Sequence, residues 1–363
     1  MSFSCGIVGL PNVGKTTLFN ALTAGQAEVA GYPFTTINPN TGVVPVPDDR
    51  LETLARLIKP QKLTPTTITF VDIAGLIKGA SQGEGLGNQF LAQIRDVDLL
   101  VHVVRCFEAS DIPHPPGLLE PVRDVEIIDT ELLLADLEII GRQRLKAEKQ
   151  GRGGDKRVLA LLNLLQRLEE GLDQGHWARE MPLSESELEM LHEIPLLTRK
   201  PYLLVANLSE TEMQLRHYLP GLEALAAARQ VPLIPLLGDL EAEIRSLPAA
   251  DQREFLEASG LSESGLNRLI RESYGLLRLI TFYTIVGPEV RAWTVPEGTP
   301  AVRCAGKIHS DMEQGFIRLE VMAYDDFARL GSAAKVKEAG LMHVEGRDYL
   351  VQDGEILFFR FQK

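Results

Sequence analysis

Short apolar runs alternate with helical patterns over the first two-thirds of the chain. Residues 3–8 (Phe-Ser-Cys-Gly-Ile-Val) read as a buried strand that ends in a glycine-rich turn. Further apolar runs lie at Thr66–Ile73, Leu99–Val104, Tyr202–Ala206 and Val231–Leu237, with helical spacing between them. Apolar strands separated by helices predict an α/β fold with a mostly parallel sheet, covered on both faces. Gly42–Pro47 carries Pro45 and Pro47. Proline cannot donate to a ladder, so this segment is expected at a sheet edge.

The rhythm changes over residues 129–200. Leu133, Leu137 and Ile140, then Val158, Leu161, Leu165, Leu168 and Leu172, recur at helical spacing. Gly151-Arg152-Gly153-Gly154 separates the two patterns. This predicts a helical hairpin inserted between two parts of an α/β domain, 1–128 and 201–277. From about residue 278 short β-like segments appear at Ile280–Ile285, Val290–Val295, Gly315–Glu320 and Glu355–Phe361. They predict a small α+β module over 278–363.

Composition adds limits. The 363 residues are 45% hydrophobic and 24% charged, the balance of a soluble globular protein. No apolar run approaches the roughly 18 residues of a membrane span, and the N-terminus enters the first strand directly, so neither a membrane partner nor a leader is expected. Cys5, Cys106 and Cys304 are odd in number and far apart. That favours a reducing, cytoplasmic setting over a disulfide framework. The net charge of −13 argues against general coating of nucleic acid, and no DNA partner is expected. The hairpin tip is the exception: Arg142–Arg157 holds seven basic and two acidic residues. A basic stretch is either a solvated helix end or a local contact for RNA.

Gly9-Leu10-Pro11-Asn12-Val13-Gly14-Lys15-Thr16 fits G-x-x-x-x-G-K-S/T between a strand and a helix. Its glycines let backbone N–H groups turn inward around phosphate oxygens, and the following helix points its positive end at the same anion. Asn12, Val13, Gly14, Lys15, Thr16 and Thr17 are the candidate nucleotide-binding residues. Lys15 is expected on the β- and γ-phosphates and the Thr16 hydroxyl on Mg²⁺. Asp72-Ile73-Ala74-Gly75 fits D-x-x-G, with Asp72 organising Mg²⁺ and the Gly75 amide sensing the γ-phosphate. Many GTPases follow this glycine with a glutamine that orients water; here it is Leu76, which cannot. In Gly31-Tyr32-Pro33-Phe34-Thr35-Thr36, motif alignment favours Thr36 over Thr35 as a further Mg²⁺ ligand.

Asn207-Leu208-Ser209-Glu210 stands where GTPases carry N-K-x-D, whose aspartate accepts two N–H groups from guanine. Leucine and a longer carboxylate fit that edge poorly, which argues against strict GTP specificity. Asn207, Leu208 and Glu210 are the candidate base-side residues. Leu236-Leu237-Gly238-Asp239-Leu240-Glu241 is a weak match to the last nucleotide motif.

Together, Gly-Leu-Pro-Asn-Val-Gly-Lys-Thr, Tyr-Pro-Phe-Thr-Thr-Ile-Asn-Pro-Asn, Asp-Ile-Ala-Gly-Leu and Asn-Leu-Ser-Glu resemble the YchF, or Obg-like ATPase, family. Lys307–Asp311 and Glu345–Gly354 resemble that family's TGS domain, so the likeness spans essentially the whole chain. It implies a G-domain of the translation-factor class that hydrolyses ATP in preference to GTP. It also implies a coiled-coil insertion, a ubiquitin-like TGS module and association with ribosomes. Asn12 matches an asparagine that accompanies K⁺-assisted hydrolysis in related proteins, or it simply makes a loop hydrogen bond. The family often places a histidine in the loop that here holds His114. That residue either handles the attacking water in place of the missing glutamine or is a solvated loop histidine. The competing functions are an Obg-class GTPase and a nucleotide-gated RNA or protein adaptor.

Overall fold

The computed structural model describes residues 3–24, 40–73, 86–109, 112–115, 117–150, 155–258 and 263–362. Thr36, Gly75 and Leu76 lie outside them. Twelve strands are described: β1 Ser4–Val8, β2 Thr41–Pro45, β3 Lys62–Thr64, β4 Thr67–Asp72, β5 Leu99–Cys106, β6 Tyr202–Leu208, β7 Leu233–Leu236, β8 Leu279–Val286, β9 Glu289–Pro296, β10 Phe316–Met322, β11 His343–Glu345 and β12 Ile356–Phe361. The chain divides into two compact units, Met1–Val43 with Thr69–Leu269, and Val44–Ile68 with Ile270–Lys363.

The first unit is built on a six-stranded sheet of order β2-β4-β1-β5-β6-β7. Its five strands from β4 to β7 pair in parallel. β5 and β6 are buried along their whole length, as continuous apolar runs at a sheet centre require. β2 stands at the edge. The helix Lys15–Thr23 follows β1 directly, Asp72 closes β4 and Asn207 is the penultimate residue of β6. The candidate residues therefore gather beyond the carboxyl ends of parallel strands, where open α/β sheets place their ligand crevices.

The insertion is a pair of helices, Pro121–Gln150 and Lys156–Asp173, that share a core of Ile139, Ile140, Leu164, Leu165, Leu168 and Leu172. The first begins at Pro121 rather than near residue 129. Val125, Ile128 and Leu132 already recur at helical spacing and are fully buried, and proline is well suited to a first helical turn. Asp136, wholly buried, accepts from the Leu197 and Thr198 amides at 2.8 Å each, and so fixes the return of the chain into β6.

The second unit has a mixed sheet of order β11-β10-β12-β8-β9-β3. The domain limits expected from sequence need correction here. Residues 44–68 were assigned to the nucleotide domain, yet they belong to this unit. The reason is packing: β3 pairs in parallel with β9, and Leu51 and Leu54 of the helix Asp49–Ile58 are buried with Tyr283, Met322 and Ile356. Asp48 caps that helix and accepts 2.6 Å from the Tyr283 hydroxyl, while Arg50 pairs with Asp353 at 2.7 Å. A ten-residue helix is marginal alone, so its apolar stripe decides where it docks.

Candidate active site

The loop after β1 is shaped by three residues at positive φ: Gly9 at 153°, Asn12 at 63° and Gly14 at 95°. Packing reinforces the need for glycine. A Cβ on Gly9 would lie 2.4 Å from the Val103 carbonyl oxygen, and one on Gly14 would lie 2.3 Å from Asn207 Nδ2. The helix Lys15–Thr23 starts at Gly14 without a side-chain cap. Its first-turn N–H groups and its positive end are thus available to an anion, as phosphate loops require.

Lys15 is 7% exposed, and its ammonium donates to the Gly9 carbonyl at 3.2 Å and the Leu10 carbonyl at 2.7 Å. Burial lowers its pKa from 10.5 to about 8, with Asp72 acting in the opposite sense. This cation is held by neutral dipoles and is free to exchange them for phosphate oxygens. The Thr16 hydroxyl donates to Asp72 Oδ2 at 2.8 Å, so two hard oxygen ligands from separate elements meet beside it. Among the described residues no cluster of three or more His, Cys, Asp or Glu offers a fully protein-bound metal site. One carboxylate and one hydroxyl, completed by ligand oxygens, fit the coordination habits of Mg²⁺.

Asn207 is buried and uses both ends of its amide. Nδ2 donates to the Val13 carbonyl at 3.0 Å, and Oδ1 accepts from the Gly238 amide at 3.1 Å. The weak Leu236–Glu241 motif thus supports the site through its backbone. Leu208 is buried, and Glu210 is exposed at the start of the helix Glu210–Leu215, which Ser209 caps. Thr17 is half-buried and Val13 is buried.

The loop after β5 reaches the same place. Asn12 Nδ2 donates to the Pro113 carbonyl at 3.1 Å. His114 is not solvated: its side chain is 5% exposed, and Nε2 lies 3.0 Å from a carboxylate oxygen of Asp124. Burial raises the pKa of Asp124, opposed by His114 and Arg123. Arg105, at the end of β5, donates to the carbonyls of Phe107, Ile112 and Ala109. Arg105 and Asp124 were not singled out from sequence. The available signal was a guanidinium closing the otherwise apolar run Leu99–Cys106, and an acid in a helix's first turn.

Two family models match the chain. One is described as 50S ribosome-binding GTPase and covers residues 4–150; the other, for the C-terminal part of YchF GTPases, is described as a protein of unknown function and covers 279–362. The chain is 48% identical to the "Ribosome-binding ATPase YchF" of Haemophilus influenzae, covering 99% of both chains. It is 45% identical to the Bacillus subtilis protein of the same name, over 99% of this chain and 100% of that one. Among solved structures, the Schizosaccharomyces pombe YchF GTPase matches with a TM-score of 0.90 and 33% identity, covering 99% of this chain and 98% of that one.

Gly14→Ala is expected to weaken nucleoside triphosphate binding by at least about tenfold, or about 1.4 kcal/mol. Gly141, where an added Cβ meets nothing within 4 Å, supplies the control, and Gly141→Ala should bind as the native chain does. Fluorescence titration with a labelled nucleotide checks both. Native affinity in Gly14→Ala would contradict the clash with Asn207.

Proposed function

The chain belongs to the YchF family, and we propose from its site that it hydrolyses ATP, in preference to GTP, to ADP and phosphate as a nucleotide-dependent switch. The observation that carries this reading is the meeting of the buried Lys15 with the Thr16–Asp72 oxygen pair at the phosphate loop. The loop N–H groups of Val13, Gly14, Lys15, Thr16 and Thr17 hold the phosphates, and Lys15 adds its charge to the β- and γ-oxygens. Mg²⁺ fits Thr16 and Asp72, with Thr36 as a third ligand by motif alignment. When bound it neutralises charge that develops between the β- and γ-phosphates. Water attacks the γ-phosphorus, the bond to the β–γ bridging oxygen breaks, and ADP leaves with that electron pair. By motif alignment the Gly75 amide is assigned to sensing the γ-phosphate, and His114 takes the water-handling role that Leu76 cannot fill. Asn12 keeps its side-chain oxygen for K⁺, whose charge beside the phosphates would act like that of an arginine finger.

Base preference rests on the segment after β6. Asn207 is committed to Val13 and Gly238, Leu208 is buried, and Glu210, which stands in the place of the aspartate, is exposed. That set lacks the short aspartate that matches guanine, which favours ATP. The Schizosaccharomyces pombe relative is named a GTPase and the bacterial relatives ATPases, so base choice is the sharpest test. In competition against a labelled nucleotide, with Mg²⁺ and K⁺ matched, ATP should displace at lower concentration than GTP. Tenfold tighter GTP binding would restore the Obg-class GTPase reading.

The relatives' name also supports ribosome association in the cytoplasm. Among the described residues no helix is long and apolar enough to cross a membrane. We assign rRNA contact to the insertion and treat the C-terminal unit, read as a TGS module, as a shape-reading or protein-contacting element. Arg142 pairs with Glu138 at 3.3 Å, and Arg144 with Glu148 at 3.6 Å and with Glu169. Lys146, Lys149, Lys156 and Arg157 make no ion pair among the described residues. Replacing these four with alanine should weaken ribosome co-sedimentation and flatten its salt dependence, since each lost phosphate contact reduces the slope. Ribosome-independent ATP turnover should stay at the native level. Unchanged affinity and slope would move the contact to the C-terminal unit. Native turnover that ribosomes never stimulate would favour an adaptor with incidental hydrolysis.

A further inference from the structure

The loop between β5 and the helix Pro121–Gln150 is held at three points. Arg105 grips its first part through three carbonyls, and Asn12 of the phosphate loop holds Pro113. The third tie is His114, whose Nε2 lies 3.0 and 3.2 Å from the two carboxylate oxygens of Asp124, with the two side chains 5% and 3% exposed. Asp124 stands in the first turn of the helix, so its carboxylate is fixed by secondary structure rather than by the loop.

The other ring nitrogen differs. His114 Nδ1 is buried and has no hydrogen-bond partner among the described residues. A carboxylate accepts, so in the neutral imidazole the ring proton faces it at Nε2 and the lone pair is left on Nδ1. A buried acceptor without a donor is unfavourable and calls for an explanation. Here it sits one residue from a carbonyl bound to the phosphate loop, where the reaction needs an acceptor for water.

We propose that Asp124 is a positioning residue for hydrolysis: it fixes the Nε2–H tautomer and the direction of the His114 ring, so that Nδ1 accepts a hydrogen bond from the attacking water. This rests on the water-handling role proposed for His114. The carboxylate does not touch the nucleotide; it acts only through the ring.

Asp124→Asn separates positioning from simple support. The amide keeps the shape but offers an N–H donor as well as an oxygen acceptor, so the partner no longer dictates Nε2–H and the Nδ1–H tautomer becomes populated. Nitrogen NMR of the full chain labelled in histidine, with His114 assigned by its loss in His114→Ala, should show Nε2–H in the native protein and in Asp124→Glu, and an added Nδ1–H population in Asp124→Asn. Steady-state ATP hydrolysis by Asp124→Asn should lose kcat in step with the Nε2–H population lost, with KM within about twofold, as expected for an interaction made mainly in the transition state. Adding it to His114→Ala should cost nothing further. An Nδ1–H tautomer in the native protein overturns the proposal. So does native kcat in Asp124→Asn when its His114 ring carries Nδ1–H and His114→Ala is slow. Native turnover in His114→Ala overturns the underlying role of His114 itself, and this proposal with it. If Asp124→Asn fails to fold, the tautomers of the native protein and Asp124→Glu still decide.

Discussion

The side-chain amide of Asn207 joins three segments that are remote in sequence. It donates to Val13, accepts from Gly238, and packs so close to Gly14 that no side chain fits there. Each bond is buried, so loss of the amide would strand a carbonyl and an N–H, each costing on the order of 1–3 kcal/mol. These contacts hold an irregular loop with three residues at positive φ. Such conformations persist only where the surroundings over-determine them. The sheet supplies the frame, because β1, β5 and β6 are adjacent and end at the same edge.

From that fixed loop follow the charges. Burial depresses the pKa of Lys15, and its ammonium donates to two carbonyls of the loop it serves. In the proposed nucleotide complex a phosphate would replace these weak dipoles with a full opposite charge in a site of low dielectric, where the gain is large. Thr16 and Asp72 already hold each other, so little rearrangement separates the free oxygens from a metal-bound pair. His114 and Asp124 extend the same economy to the neighbouring loop: a buried ionisable group held in one geometry by one partner.

Most of the first sheet was legible in the sequence. Buried parallel strands are continuous apolar runs, and Pro45 and Pro47 marked the edge segment that became β2. The phosphate loop was legible because its chemistry needs residue types at fixed spacing. What was not legible depended on partners far along the chain. Residues 44–68 read as part of the first domain because nothing local reveals that Leu51 and Leu54 pack with Tyr283 and Ile356. The three-residue strands β3 and β11 are too short to show a period. His114 was weighed as either a solvated or a water-handling residue, and its burial against Asp124 was invisible because one helical turn brings them together only once the helix starts at Pro121.

The central claim is that Lys15, Thr16 and Asp72 together hold a metal-bound nucleoside triphosphate for hydrolysis. Its most direct test is steady-state ATP turnover as a function of Mg²⁺ for the native chain, Lys15→Ala and Thr16→Ala. The account predicts Mg²⁺-dependent turnover in the native chain and none measurable in either variant, with thermal unfolding showing that both remain folded. Native turnover in Lys15→Ala or Thr16→Ala, or hydrolysis indifferent to Mg²⁺, would contradict it.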